Sequence, residues 1–322
     1  GTILSIISNN EIVNKVDEGD EAILILDKTT FYPLMGGQVG DVGEIKVSDS
    51  IFEVDDTIKV LNTKIAHIGK VISGSFSVKT EVKTLVDMKS RHLTAINHTS
   101  THLLQAALRS VLGKQVEQAG SLVESSRLRF DFTHFKAMSN EEIQKVERIV
   151  NKKINEAIAV TKVEMALTDA KKKGAMALFG EKYGEIVRTV QVGDFSFELC
   201  GGTHINNTSE IKCFKILSES GVATGVRRIE AITSDPLIKY YNNEVDKIAT
   251  LSNILKTNEN DIFDKVKNVL SENKTLKTEI DNMKKQLGVV AASDIKSENI
   301  RGLNVVIQKF DNKNNNELKD IV

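Results

Sequence analysis

Cysteine is scarce in this chain, since Cys200 and Cys213 are the only two among 322 residues. Two cysteines cannot build a disulfide framework, so the composition favours a reducing, cytoplasmic setting. The sequence has no apolar run of about eighteen residues or more, and we expect no membrane span. The first residues, Gly1 to Leu4, lack the charged segment and the cleavage site of a signal peptide, so we expect none there.

Excess charge of either sign is also missing, because 43 Lys and Arg stand against 44 Asp and Glu, a net charge of −1. This balance argues against a strongly basic protein that coats DNA. RNA binding needs only a few well-placed cations, and two clusters, Lys171-Lys172-Lys173 and Arg227-Arg228, offer them. Either cluster would contact RNA phosphates or form a solvated face. The length predicts two or three domains.

Residues 1–89 predict short strands that form a small β-barrel. Apolar and polar residues alternate in several short runs, and clusters of Gly, Asp, Asn and Ser separate these runs at short intervals. The predicted strands include residues 23–26, 44–47, 51–54 and 75–79.

A glycine-rich loop lies between the first of these strands. Pro33 is followed by four glycines in the eight residues 36–43, and this composition indicates a loop rather than a core strand. One interpretation is a tight connection. The other is a loop that approaches a ligand closely and presents the amide of Gln38.

Two histidines occupy one face of a predicted helix that follows residue 90 and ends at Gly113. His98 and His102 are four residues apart, so their rings lie one turn apart on the same side. Cys200 and His204 repeat this spacing about a hundred residues later, with two glycines between them that permit a tight turn. Three imidazoles and one thiolate are the ligand types and number of a tetrahedral zinc site.

The residues around the histidines narrow the chemistry of such a site. Thr99 follows His98, so the helix lacks the Glu that serves as general base in metalloproteases of the His-Glu-x-x-His type. Closed sites with four protein ligands are usually structural, whereas catalytic zinc keeps one position open. Spacing alone leaves both roles open.

The remaining pattern predicts an α+β domain and a helical linker. Residues 90–233 combine two helices with several strands, and Ser139 and Glu142 have the spacing of a capping box at the start of the second helix. Residues 234–287 carry the apolar seam of a coiled coil, interrupted at 258–261, so we expect two helices folded back as a hairpin. Residues 288–322 contain one strand-like run, 303–307, without visible partners and read as the truncated start of a further domain.

Several motifs together resemble the editing domain of bacterial alanyl-tRNA synthetases, and their order and spacing match over residues 1–233. A segment similar to the family's glycine-rich motif precedes them at residues 31–43, and the rest is similar to its linker and to the beginning of its C-terminal domain. The free-standing AlaX trans-editing proteins share both metal-binding pairs and are the alternative family. The motifs are His98–His102, Arg129–Phe132, Ala177–Gly184, Glu198–His204 and Gly225–Ala231.

This resemblance implies hydrolysis of mischarged Ser-tRNA(Ala) and Gly-tRNA(Ala) at a zinc site, with tRNA(Ala) as the partner. It implies zinc ligands at His98, His102, Cys200 and His204. It implies catalytic roles for Gln38, His98, His102 and Cys200, and substrate binding by Thr29, Thr30, Gly36, Gly37 and Gln38.

The same resemblance limits what we expect of this chain. The aminoacylation domain of the family is not in this sequence, so no ligase activity is expected, and dimerisation is expected only of full-length members. Two other functions stay open at this point: a non-catalytic tRNA-binding fragment with a structural zinc, and a related editing domain that acts on another substrate such as threonyl-tRNA.

Overall fold

The computed structural model describes residues 1–60, 63–176, 183–293 and 296–307. It divides into two compact units, residues 1–240 and 241–322. Residues 177–182 of the motif Ala177–Gly184 lie outside the described residues. The predicted domain boundaries at 89 and 233 stay predictions.

The elements follow in chain order. The strands are β1 Ile3–Ser8, β2 Glu11–Val13, β3 Lys15–Asp17, β4 Glu21–Leu26, β5 Gly43–Val47, β6 Ser50–Val60, β7 Lys64–Ser73, β8 Ser75–Ser77, β9 Lys83–Val86, β10 Gln118–Val123, β11 Leu128–Thr133, β12 Val160–Ala166, β13 Ile186–Val192, β14 Ser196–Leu199, β15 Phe214–Ala223, β16 Val226–Thr233, β17 Glu298–Ile300 and β18 Leu303–Val305. The helices are α1 Met88–Leu112, α2 Asn140–Asn155, α3 Leu167–Lys172, α4 Ser234–Leu255 and α5 Ile262–Ser293, with 3-10 turns at Thr208–Ile211 and Glu259–Asp261.

The N-terminal strands form an antiparallel sheet of seven strands in the order β2-β1-β4-β7-β6-β5-β9, and β3 pairs with β8. The predicted closed β-barrel is wrong for the described residues, because no ladder joins the edge strands β2 and β9. Strand β2 pairs with the second half of β1. The chain before β9 contacts the beginning of β1 instead, through backbone hydrogen bonds of Ile3 with Lys79 and Thr80 and a bridge between Thr2 and Glu81.

The loop between β4 and β5 is tied to the start of α1 by a buried ion pair. Arg91 donates to both carboxylate oxygens of Asp41, through Nε at 3.1 Å and through Nη2. The same carboxylate accepts the backbone N–H of Tyr32 at 2.5 Å, and Arg91 also donates to the carbonyl of Thr30 at 2.7 Å. One side chain from the loop and one from the helix therefore hold the glycine-rich segment against α1.

Neutralising Asp41 is expected to loosen this attachment. Asp41→Asn removes the charge that Arg91 faces, and we expect the free energy of unfolding to fall by about 2–3 kcal/mol. Urea unfolding followed by circular dichroism measures the change. Glu44→Gln is the matched control, since Glu44 pairs with Lys46 on the surface, and it should cost less than about 1 kcal/mol. Equal losses in the two variants would contradict the role assigned to Asp41.

Helix α1 is the central element of the second region and begins and ends with clear signals. The side chain of Asp87 accepts the N–H groups of Lys89 and Ser90, and Gly113 ends the helix with φ 113°. Residues 94–105 are buried, although many of them are polar. Thr99 and Ser100 satisfy their hydroxyls by donating to the carbonyls of the preceding turn, so the helix can be buried on all sides.

Helices α1 and α2 pack against antiparallel sheets, which confirms the α+β prediction. One sheet has the order β10-β11-β16-β15 and the other β12-β13-β14. Phe130 and Phe132 of β11 lie in a core that also contains Leu104 of α1 and Val150 of α2. The predicted capping box of α2 is present, with Ser139 and Glu142 each bonded to the other's backbone N–H.

The C-terminal unit departs from its prediction in two ways. The break near 258 is confirmed, but the seam of the expected hairpin is not covered: Ile248, Val266 and Leu287 keep 44%, 39% and 65% of their surface. The run at 303–307 does have a partner, because β18 pairs with β17 in a short antiparallel hairpin. Within the described ranges no helix is both long and apolar enough to traverse a bilayer.

Candidate functional site

The four predicted ligands converge in the structure. His98 and His102 come from α1, whereas Cys200 and His204 come from the loop after β14, and one ligand atom of each lies within 4.8 Å of the others. Sγ of Cys200 is 3.4 Å from Nε2 of His98 and 3.2 Å from Nε2 of His204. The three histidines are buried and Cys200 is half-buried. The sequence therefore correctly predicted that two distant pairs form one cluster.

The other ring nitrogen of each histidine faces an oxygen. Nδ1 of His98 lies 2.7 Å from Oε1 of Gln38, and Nδ1 of His204 lies 3.1 Å from Oγ1 of Thr99. Because the Thr99 hydroxyl donates to the carbonyl of Ala95, it accepts from His204. These bonds place the proton on Nδ1 and leave Nε2 of both rings as a lone pair that faces the centre.

The protonation states suit a metal. Burial lowers the pKa of His98 to about 3, assisted by the charges of His102 and Arg188, and burial with Arg188 lowers the pKa of His102 to about 4. Burial also holds the pKa of His204 well below its ordinary value. All three rings are therefore neutral near pH 7, as metal binding requires. The backbone N–H of Gly202 donates to Sγ of Cys200 at 3.4 Å, which favours the thiolate. The donor set suggests a metal site and is consistent with zinc.

A cavity of about 290 Å³ opens onto the cluster, at the lower end of the size range of small-ligand sites. His98, His102 and Cys200 form part of its wall. Polar groups of Thr101, Gln118, Ser121 and Glu198 line it as well, and Tyr32, Met35 and Gly36 contribute to it from the glycine-rich loop. The cavity thus joins the predicted metal ligands to the N-terminal loop.

Arg188 holds the loop that carries two of the ligands. Its Nη1 donates to the carbonyls of Cys200 at 3.1 Å and Gly202 at 2.5 Å, and its own carbonyl accepts the N–H of Cys200 at 3.0 Å. Its side chain lines the cavity. Arg188 therefore fixes the position of Cys200 and places a positive charge beside the cluster.

Gln38 reaches the cluster because of a tight turn. Gly36 and Gly37 have φ values of 61° and 84°, and the backbones of Met35 and Gln38 exchange two hydrogen bonds of 3.1 Å across them. The Gln38 side chain is buried, and its Oε1 also accepts from the N–H of Thr203 at 2.9 Å. The structure thus places Gln38 behind the ligand His98, while Gly36 lines the cavity.

The two threonines predicted to bind substrate lie elsewhere. Oγ1 of Thr29 is 2.8 Å from Nε2 of His67, a buried histidine whose Nδ1 donates to the carbonyl of Leu24 at 2.9 Å. Oγ1 of Thr30 contacts the hydroxyl of Thr84 at 3.1 Å. Neither threonine lines the cavity in the described part of the chain.

His67 makes the stability of the N-terminal sheet sensitive to acid. Burial lowers its pKa in the folded protein, so the unfolded chain binds more protons as the pH falls below about 6.5. Above that pH the ring of His67 is neutral in both the folded and the unfolded chain, so its protonation does not lower the free energy of unfolding there. We expect the stability advantage of wild type over His67→Gln to shrink by at most about 2 kcal/mol between pH 7 and pH 5. Urea midpoints at the two pH values measure it, and a constant difference would contradict the prediction.

Two charged residues of the site were not identified from the sequence. Arg188 and Glu198 lie on the paired strands β13 and β14, and nothing in the sequence indicated that these strands are neighbours. A charged residue on a buried face, two positions before a predicted ligand, was the available signal.

Comparison with known proteins agrees with this geometry. Residues 187–230 match the family described as Threonyl and Alanyl tRNA synthetase second additional domain, and residues 1–90 match the family tRNA synthetases class II (A). The chain is 47% identical to the alanine–tRNA ligase of Acetivibrio thermocellus over 96% of this chain and 35% of the relative. It is 46% identical to that of Clostridioides difficile over 99% of this chain and 37% of the relative.

Alanine–tRNA ligase 1 of Lachnoclostridium phytofermentans is 44% identical over 98% of this chain and 36% of its own length. The chain therefore spans little more than a third of these relatives. The matched residues 187–230 contain Cys200 and His204, and the similarity to the ligases also covers the helix with His98 and His102. The chain belongs to the alanyl-tRNA synthetase family, as a segment that contains the second additional domain.

Proposed function

We propose that this chain is the editing part of an alanyl-tRNA synthetase and hydrolyses the ester bond of seryl- and glycyl-tRNA(Ala). The observation that carries the proposal is the convergence of His98, His102, Cys200 and His204 in one cluster, three members of which line a partly open cavity. The similarity to alanine–tRNA ligases supports tRNA(Ala) as the partner. Zinc is the proposed metal because the donors are one thiolate and three neutral imidazoles.

Editing answers a discrimination problem that one pocket cannot solve. A site shaped for alanine admits the smaller glycine, and serine adds only one hydroxyl, so binding alone rejects neither strongly. A second site that hydrogen-bonds the serine hydroxyl separates serine from alanine. Thr101, Gln118 and Ser121 line the cavity and carry the hydroxyl and amide groups that such a site requires, although the Thr101 hydroxyl already donates to the carbonyl of His98 at 2.7 Å.

The residues around the metal hold and orient the site. Gln38 and Thr99 fix the tautomers of His98 and His204, and Arg188 keeps the loop with Cys200 in place. When bound, zinc would act as a Lewis acid that polarises the ester carbonyl or a water molecule. The histidines of the cluster are buried, so charges beside them act more strongly than they would in solvent.

The test is release of serine from Ser-tRNA(Ala) by the purified chain, with and without a zinc chelator. We expect release from Ser-tRNA(Ala), little release of alanine from Ala-tRNA(Ala), and loss of activity after chelation that added zinc restores. A panel that includes mischarged threonyl-tRNA distinguishes the specificity of this site from that of a threonyl-type editing domain. Ser-tRNA(Ala) that stays intact at high enzyme concentration would refute the proposal.

A second function is favoured by one observation, namely that four protein donors lie close enough to fill a tetrahedral shell. Such closed shells are typical of structural zinc. In that case the chain binds tRNA without cleaving it. The expected result is tRNA affinity that falls steeply with salt, with no serine release at any protein concentration.

A further inference from the structure

Glu198 is a buried carboxylate beside the metal cluster whose presence the fold alone does not explain. It lies on β14 with 2% of its surface exposed. Its Oε1 accepts the hydroxyl of Ser196 at 2.9 Å. No Lys or Arg nitrogen lies within 4 Å of it among the described residues, and burying a carboxylate without a cation is costly. The hydroxyl of Ser196 and the more distant charge of Arg109 offset only part of this cost.

The partner of the other carboxylate oxygen is a metal ligand. Oε2 of Glu198 lies 3.3 Å from Nδ1 of His102, and this buried Nδ1 makes no hydrogen bond of good geometry to any group in the described chain, so Glu198 is the acceptor nearest to it. The equivalent nitrogens of His98 and His204 face Oε1 of Gln38 and Oγ1 of Thr99. Each histidine of the cluster thus has one oxygen behind it, and the oxygen behind His102 is the one that belongs to a carboxyl group.

The net charge of a zinc-bound cluster gives the carboxyl group behind His102 a role that the neutral oxygens behind His98 and His204 do not have. One thiolate and three neutral imidazoles leave a bound zinc ion with one net positive charge. The three histidines are buried, so an uncompensated charge among them is unfavourable. Arg188 adds a further positive charge beside the cluster. A carboxylate next to the ligands reduces this excess, and Glu198 is the carboxylate that lies within 4 Å of a cluster histidine in the described residues.

We propose that Glu198 is a positioning residue of the metal site. With a metal bound, its carboxylate would accept the Nδ1 proton of His102, hold Nε2 toward the metal, and reduce the positive charge of the site. The inference rests on the proposed metal site and assigns it a residue that sequence reasoning had not identified. Carboxylates behind metal-bound histidines act in this way because they fix the tautomer and raise the basicity of the ligand.

The test compares the zinc affinity and the metal-free stability of Glu198→Gln. Competition with a chromophoric chelator should show binding about 10- to 100-fold weaker than wild type. The free energy of unfolding of the metal-free variant should equal or exceed that of wild type, because a neutral amide is easier to bury than a carboxylate. The visible spectrum of the cobalt-substituted variant should also change, since the His102 ligand is altered.

Two further variants separate positioning from packing. Ser196→Ala removes the bond to Oε1 but leaves the carboxylate beside His102, so zinc affinity should lie between those of wild type and Glu198→Gln. Glu164→Gln changes an exposed carboxylate on β12 and should bind zinc like wild type. The inference would be overturned if Glu198→Gln bound zinc within twofold of wild type. It would also be overturned if the free energy of unfolding of the metal-free variant fell by as much as its free energy of zinc binding, because the loss would then come from packing. A wild-type chain that binds no zinc would overturn the proposed metal site as well.

Discussion

Cys200→Ala is expected to abolish zinc binding and to reduce serine release from Ser-tRNA(Ala) by about a thousandfold or more. The variant removes the only thiolate from a cluster in which Sγ lies 3.4 Å from His98 and 3.2 Å from His204. Without it the remaining donors are three neutral rings, which hold zinc less tightly. The lost metal would have supplied several kcal/mol of transition-state stabilisation, and each 1.4 kcal/mol corresponds to about a factor of ten in rate.

Cys213→Ala is the matched control for this experiment. Cys213 is the second cysteine of the chain, is also half-buried, and does not belong to the cluster. Zinc content measured by atomic absorption and single-turnover serine release should both remain at the wild-type level in that variant. Retention of full activity by Cys200→Ala would contradict a zinc-dependent reaction at this site. Loss of zinc without loss of activity would point to a structural ion.

Gly202→Ala is expected to damage the same site by steric overlap alone. A Cβ atom at position 202 would coincide with the ring of His98 and would approach Oε1 of Gln38 within 3.0 Å. Relief requires His98 to turn away from both its hydrogen-bond acceptor and Sγ of Cys200. We expect zinc affinity to fall by about a hundredfold, and overpacking to lower the free energy of unfolding by about 1–3 kcal/mol.

The neighbouring glycine provides the control. A Cβ atom on Gly201 would meet only Cε of Met35 at 3.5 Å, which is an ordinary contact. Isothermal titration of zinc into the metal-free forms of both variants compares them directly. Gly201→Ala should bind zinc with nearly wild-type affinity, and equal losses in the two variants would show that loop flexibility, rather than the space next to His98, limits the site.

The pairing of His98 with His102 could be predicted from the sequence because its information is local. A spacing of four residues on a helix fixes which side chains share a face, and His98 and His102 follow this rule directly. The role of Gln38 had no such basis, since its contact with His98 spans 60 residues and depends on how a loop from one sheet meets a helix. Glu198 was missed for a related reason: only the packing of β14 against α1 brings its carboxylate next to His102.

The fold shows the same limit. Helix α1 was predicted well, because its apolar periodicity and Gly113 mark its course and its end. The closure of the N-terminal sheet was predicted wrongly, because strand periodicity says which face is buried and nothing about which strands become neighbours. The hairpin expected after residue 234 rested on an apolar seam, and a seam alone does not specify the surface that covers it.

The contact between Gln38 and His98 has a consequence for how this region can be inherited or transplanted. Residues 90–233 alone contain all four donors, so a gene fusion that moved only this block would seem to carry a complete zinc site. It would leave behind the acceptor that holds the ring of His98 and also the partner of Arg91, because Gln38 and Asp41 come from the preceding sheet. The smallest transferable unit therefore begins before the glycine-rich loop, and recombination between these segments would separate a ligand from its support.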